Sequence, residues 1–286
     1  MWSQYCSFRR FTMSLPSLRS LLLAQVLLLP LAATQAQDTP TATSPATDLA
    51  AAEPRLATPE ALHPFNMADN MELIYRVLDN NGKPTGELRQ RVVNLTSTER
   101  EESKKRKVSE YTATLKSGLY NKKNGLIRLQ DLTFRSRRDT SFTDGLADLN
   151  SDALRSFRDR KLVYTPVPLA WPNNPTVGSS LPPGGISVQV SSSVVDIATV
   201  STMLRKRRVV SGPAPLTTPA GTFSCYKVEA NRESATVPRP DMAMRTNVRQ
   251  VDFYTPGVGI IRTEIYNKKG KLEQVMELSA RNASAQ

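Results

Sequence analysis

The chain has 286 residues, a formal charge of +12, a single histidine and two cysteines. One histidine is too few for a zinc site built on imidazoles, and it would be the only base for an acyl-transfer triad. Two cysteines cannot supply a disulfide framework, and a domain of this length can bury enough apolar surface without one.

Arg9, Arg10 and Arg19 precede an apolar run, Leu21 to Ala33, and Thr34-Gln35-Ala36 offers the small residues that a signal peptidase reads. The run is roughly 13 residues against about 20 for a bilayer-spanning helix, and Pro30 interrupts it. Residues 1–36 are therefore read as a signal peptide cleaved after Ala36, with Met13 as an alternative start. Cleavage removes three arginines, which takes the formal charge from +12 to +9, and it removes Cys6, which leaves Cys225 alone. Cys6 lies before the apolar run, not at the cleavage point. The mature protein is thus expected to be exported to the periplasm or beyond, soluble, with no lipid or transmembrane anchor.

Residues 37–62 are rich in Thr, Ala and Pro without apolar period, the composition of a disordered tether. From His63 to about residue 281 a single β-rich domain is expected, because the apolar period is two. Met71, Leu73, Tyr75 and Val77 alternate with Glu72 and Arg76, and Asn81-Gly82 supplies a hairpin turn. A strand over 88–96 follows. Then Tyr111, Ala113 and Leu115 alternate, and Asn124-Gly125 turns into Leu126 to Phe134.

Ser151 can cap a short helix over 152–158, with Leu154 and Phe157 on one face. Prolines at 166, 168, 172, 175, 182 and 183 then mark a crossover or loop, since proline cannot donate to a central ladder. Strands resume over 186–190 and 197–210. A C-terminal meander follows, with strands over 248–254 and 258–266, turns at Pro256-Gly257 and at 267–270, and a last strand bearing Leu272, Met276 and Leu278. About nine to eleven strands make a large twisted antiparallel sheet, which tends to curl into a half-barrel.

Three segments of this sequence, Thr217 to Val228 (TTPAGTFSCYKV), Phe253 to Tyr266 (FYTPGVGIIRTEIY) and Gly270 to Leu278 (GKLEQVMEL), resemble the TapB family of bacterial exported proteins. The segment Val177 to Gly185 fits that family's middle loop, and Phe253 stands where the family has Trp. The resemblance covers roughly the last 120 residues. It implies a β-rich envelope protein of unknown function and brings no catalytic residues with it.

No catalytic, cofactor-binding or metal site is expected. His63 reads as a boundary residue, Cys225 as a buried thiol beside Lys227, and Asp144, Asp148 and Asp152 as turn and capping residues. Phe223, Cys225 and Val228 are core candidates. Gly184-Gly185 lacks the Lys-Ser/Thr of a phosphate loop. The basic runs Lys104 to Lys107 and Arg205 to Arg208 read as edge or protruding-ribbon charges. Nucleic acid is excluded by compartment and by the absence of interleaved aromatics. The expectation is a non-catalytic envelope protein that binds a protein, an anionic polymer or a lipid. The alternative is a carrier whose concave face holds an apolar ligand.

Overall fold

The structure, a computed structural model, describes residues 63–282 apart from 104, 105 and 240. The expected signal peptide, the tether and Cys6 lie outside the described residues. Most of the described chain is strand: β1 (Glu72–Asp79), β2 (Pro84–Ser103), β3 (Arg106–Asn121), β4 (Leu126–Arg137), β5 (Thr140–Thr143), β6 (Lys161–Val167), β7 (Leu169–Pro172), β8 (Ser180–Leu181), β9 (Gly184–Ser191), β10 (Asp196–Thr218), β11 (Gly221–Arg239), β12 (Met242–Thr255), β13 (Gly259–Tyr266) and β14 (Leu272–Asn282). They form one antiparallel sheet in the order β6-β9-β10-β11-β12-β13-β14-β1-β2-β3-β4-β5-β7, with β8 pairing to β10. The mainly β expectation holds. The strands beyond the nine to eleven expected include β5, β7 and β8, each too short to display a period.

The expected turns form as read. Asp79 accepts hydrogen bonds from the backbone N–H groups of Asn81 (2.8 Å) and Lys83 (2.9 Å), and Gly82 has φ +75°. Asn121 and Asn267 do the same work at the β3–β4 and β13–β14 turns. Gly257 has φ +75° at the third position of the Pro256-Gly257 turn, as a type II turn requires.

The sheet curls past a half-barrel, nearly to closure, and the Pro-rich stretch is the reason. β6 lies at one end of the strand order and β7 at the other, yet only Pro168 separates them in sequence. Val167 sits opposite Gly185 on one side, and Leu169 sits opposite Thr143 on the other. The ring is therefore joined by the chain itself. Six prolines cluster at this seam and its flanking loops, where a missing N–H costs least, and Pro213 falls in a register shift of β10. The seam is crowded. A Cβ on Gly184 would stand 2.7 Å from the Pro168 carbonyl oxygen, and one on Gly145 would stand 1.8 Å from that of Gly185. Gly184-Gly185 thus serves close backbone approach, and the stretch read as loop contains the two terminal strands.

The short helix expected over 152–158 forms as a 3₁₀ segment, Ser151–Phe157, and a further 3₁₀ turn, Gly145–Asp148, precedes it. They cover part of the barrel. Leu154 packs with Ile186, Val188, Val190, Ala198 and Val200 in a compact apolar cluster. The larger core lies in the rest of the barrel and includes Phe65, Leu73, Leu88, Leu115, Leu132, Trp171, Tyr254 and Leu278.

Candidate functional site

Inward-facing positions around β1 to β4 and β12 to β14 do not fill the barrel. They enclose a cavity of about 440 Å³, within the roughly 300–1,000 Å³ typical of small-molecule sites. Its floor and one wall are apolar, with Phe65, Leu73, Leu88, Leu119, Ile260 and Met276. Its other wall is polar and belongs to β4, β11, β12 and the first 3₁₀ turn. Arg232 donates from Nη1 to Asp148 Oδ1 (3.0 Å) and to Gln250 Oε1 (2.9 Å), and from Nη2 to the Asp148 carbonyl (2.7 Å). Gln250 Nε2 donates to both oxygens of Asp252 (3.0 Å each), and Thr263 Oγ1 donates to Asp252 Oδ1 (2.7 Å). Arg128 donates to the Leu149 carbonyl at 2.7 Å beside this chain of contacts.

Asp252 is 1 % exposed. Burial pushes its carboxyl up to about 6, against the hydrogen bonds from Thr263 and Gln250 that favour the charged form. Arg207, also 1 % exposed, lies over the Trp171 ring with its Cζ 4.6 Å from the centroid and donates to the carbonyls of Pro182 and Ala170 (3.0 Å each). Desolvation pulls its guanidinium down to about 10. Trp171 Nε1 donates to Thr143 Oγ1 at 2.9 Å, which fixes the ring beneath the arginine.

The cavity reaches the surface at the end of the barrel where β1–β2, β3–β4 and β13–β14 turn. There the exposed Ile127 and Gln274 line it, together with Leu149 and Asn150 of the loop between the 3₁₀ turns. The opposite end is covered by Phe65 and Met67.

Several sequence expectations find their place here. Asp144 is a capping residue, accepting from Leu146 N–H and Thr133 N–H (2.9 Å each). Asp148 is not only a turn residue, since its carboxylate is the partner of Arg232 in the cavity wall. The side chain of Asp152 lies outside the described residues. Cys225 is buried in β11 with its Sγ 3.4 Å from Thr255 Oγ1, and burial pushes the thiol up. His63 meets Tyr111 edge-on with centroids 5.3 Å apart. Among the described residues no group of three His, Cys, Asp or Glu is placed to hold a metal.

The run Arg205 to Arg208 departs from its expected place. It lies on β10, a central strand, not an edge. The register slips between Arg205 and Arg208, and Lys206 takes φ +52°. This bulge turns Arg207 inward and leaves Arg205, Lys206 and Arg208 outside. Lys104 and Lys105 lie outside the described residues, while Lys107 is exposed on the β2–β3 ribbon and pairs with Glu99 at 3.2 Å.

No helix among the described residues is long and apolar enough to cross a membrane. No curated protein matches the chain. Two solved structures share its fold. One is a candidate lipoprotein from Parabacteroides distasonis, 20% identical, with a TM-score of 0.59, matched over 78% of this chain and 100% of that one. The other is a candidate exported protein with a YmcC-like fold from Bacteroides fragilis, 18% identical, with a TM-score of 0.53, matched over 78% and 99%. The family model that matches is DUF3108-like, over residues 70–278. The chain belongs to the DUF3108-like family.

Proposed function

We propose that this protein is an exported, non-catalytic binding protein that carries a small amphipathic ligand inside its barrel. One observation carries the reading: a cavity of about 440 Å³ that is apolar on one wall and lined on the other by Arg128, Asp148, Arg232, Gln250 and Asp252. A filled core would have favoured a role confined to the outer surface. An apolar body would lie against Leu88, Leu119 and Met276, and a polar head would meet the Arg232–Gln250 wall. The wall groups already satisfy one another, so they hold their geometry without a ligand and select for a polar group that can join the network. The non-catalytic part of the reading rests on the wall groups binding one another: Asp252, beside the Thr263 hydroxyl, is 1 % exposed and held by Gln250.

The apolar segment before Ala36 and the description of the two fold relatives as exported or lipoprotein candidates support export. The resemblance to the TapB family belongs to the same reading. Native mass spectrometry of the protein purified from its own host tests it. The expected spectrum shows a chain cleaved after Ala36, without an acyl group, and a bound small molecule that Leu119→Trp displaces. A bare mass together with no uptake of a fluorescent fatty-acid probe would overturn carriage.

A further inference from the structure

The hairpin turns at the cavity mouth are built alike. Each begins with an Asp or Asn whose side chain accepts from the backbone N–H groups two and four residues on: Asp79, Asn121 and Asn267. Each also carries lysine at its tip: Lys83, then Lys122 and Lys123, then Lys268, Lys269 and Lys271. All six are exposed, and among the described residues none of them is in an ion pair. Arg158, Arg160 and Lys161 emerge at the same end, before β6. Asp159, Asp196, Asp241 and Glu273 are the acids there besides Asp79, so the end is net positive.

Exposed apolar side chains share this end. Leu126 is 56 % exposed and Ile127 55 % at the start of β4, Val194 87 % and Val195 61 % in the β9–β10 turn, and Met242 49 % at the start of β12. At the far end the β10–β11 and β12–β13 turns, 218–221 and 255–259, carry no charge, while Lys107 pairs with Glu99 and Arg137 lies opposite Glu110.

We infer that the mouth end of the barrel docks onto an anionic lipid bilayer. Six lysines that pair with no protein acid complement a negative surface, each contributing about fivefold in affinity near such a membrane. The apolar side chains decide between a bilayer and a soluble polyanion. A bilayer interface accepts both the charges and the Leu, Ile, Val and Met side chains, whereas a polyanion in water leaves the latter wet. The surface is independent of the wall groups inside the cavity, so docking can fail while carriage stands.

The test is co-sedimentation of the mature chain, from Gln37 onward, with vesicles of equimolar phosphatidylglycerol and phosphatidylcholine, against vesicles of phosphatidylcholine alone. The apolar run Leu21 to Ala33 is left out because it would itself enter neutral vesicles. The expected result is binding to the anionic vesicles that falls at least tenfold in Lys122→Glu/Lys123→Glu/Lys268→Glu/Lys269→Glu. These residues lie on exposed turns, and unchanged circular dichroism confirms that the variant folds. The control reverses two exposed charges at the far end, Lys107→Glu/Arg137→Glu, and is expected to bind like the wild type. Raising salt from about 0.1 to about 1 M, which shortens screening from ~10 to ~3 Å, is expected to release most of the wild type. Equal binding to neutral vesicles, loss in the far-end control, salt-insensitive binding, or retention on a soluble anionic polysaccharide without vesicle binding would each overturn the assignment.

Discussion

The two halves of the barrel interior are lined by strands of one sheet and filled in opposite ways. Under the 145–157 segment, Leu154 meets Ile186, Val188, Val190, Ala198 and Val200, and the β9 and β10 members of that cluster are at most 3 % exposed. Across the barrel, residues of equal apolar character at Leu119, Ile260 and Met276 face open volume. The difference lies in what the chain inserts. On one side a pair of 3₁₀ turns supplies side chains to the gap. On the other, β4, β11 and β12 present Arg128, Gln130, Arg232, Gln250 and Asp252, which bond to one another and to the turn backbone rather than interdigitate with the apolar wall. A hollow is kept where the polar groups are mutually satisfied, because burying them unpaired costs about 1–3 kcal/mol each.

The largest expected effect separates the halves by truncation. Ile186→Ala leaves a void that its neighbours cannot close, and is expected to cost about 3 kcal/mol by denaturant unfolding. Leu119→Ala, which only enlarges an existing space, is expected to cost no more than about 1 kcal/mol. Equal losses would show that the hollow half is as tightly packed as the other.

Asp252 gives the next effect. Burial raises its pKa from about 3.9 in the unfolded chain to about 6, so the folded protein holds the proton more tightly. That stabilisation is full below about pH 4 and is lost as pH rises through about 6. It amounts to about 3 kcal/mol between those limits. Asp252→Asn keeps an acceptor for Thr263 and removes the titration. The wild type is therefore expected to lose stability relative to the variant between about pH 4 and 6, read as the difference in Tm. A difference that does not vary with pH would place the carboxyl in contact with water.

Filling sharpens the comparison further. Met276→Phe in the hollow half is expected to change stability by less than about 1 kcal/mol and to exclude a ligand, whereas Val188→Phe in the filled half is expected to cost about 1–3 kcal/mol. Smallest is Lys206→Gly at the β10 bulge, which relieves a positive φ and is expected to stabilise by about 0.5–1 kcal/mol, provided Arg207 stays over Trp171. A loss of stability would mean that the lysine side chain contributes more than its backbone costs.

The sheet was legible because its signals are local. Alternation at Met71 to Val77 and the Asn-Gly and Pro-Gly turns need only neighbours in sequence. The interior was not, because alternation distinguishes two faces without saying which is inside. Gln250 and Asp252 alternate with Val251 and Phe253, a pattern that reads as a wet face opposite an apolar one. In the ring both Val251 and Asp252 are buried. Arg207 was hidden for another reason: a bulge changes parity, and the sequence Arg205-Lys206-Arg207-Arg208 carries no mark of where the extra residue falls. One signal was available. Four consecutive charges on a strand flanked by apolar positions on both sides force at least one charge toward the core unless the strand is an edge. The near closure depended on partners about 20 residues apart on each side of Pro168, which no local pattern reports.

β1 pairs with β14, so that Glu72 lies opposite Asn282. The ring therefore waits for its final strand: every residue through Asn282 has to be made before the circle can be completed. Pairing across the whole length of a chain is slow, in the range of milliseconds to seconds for β proteins. Such an order of assembly leaves the polypeptide threadable while it is being synthesised, a kinetic property that fits the export proposed above.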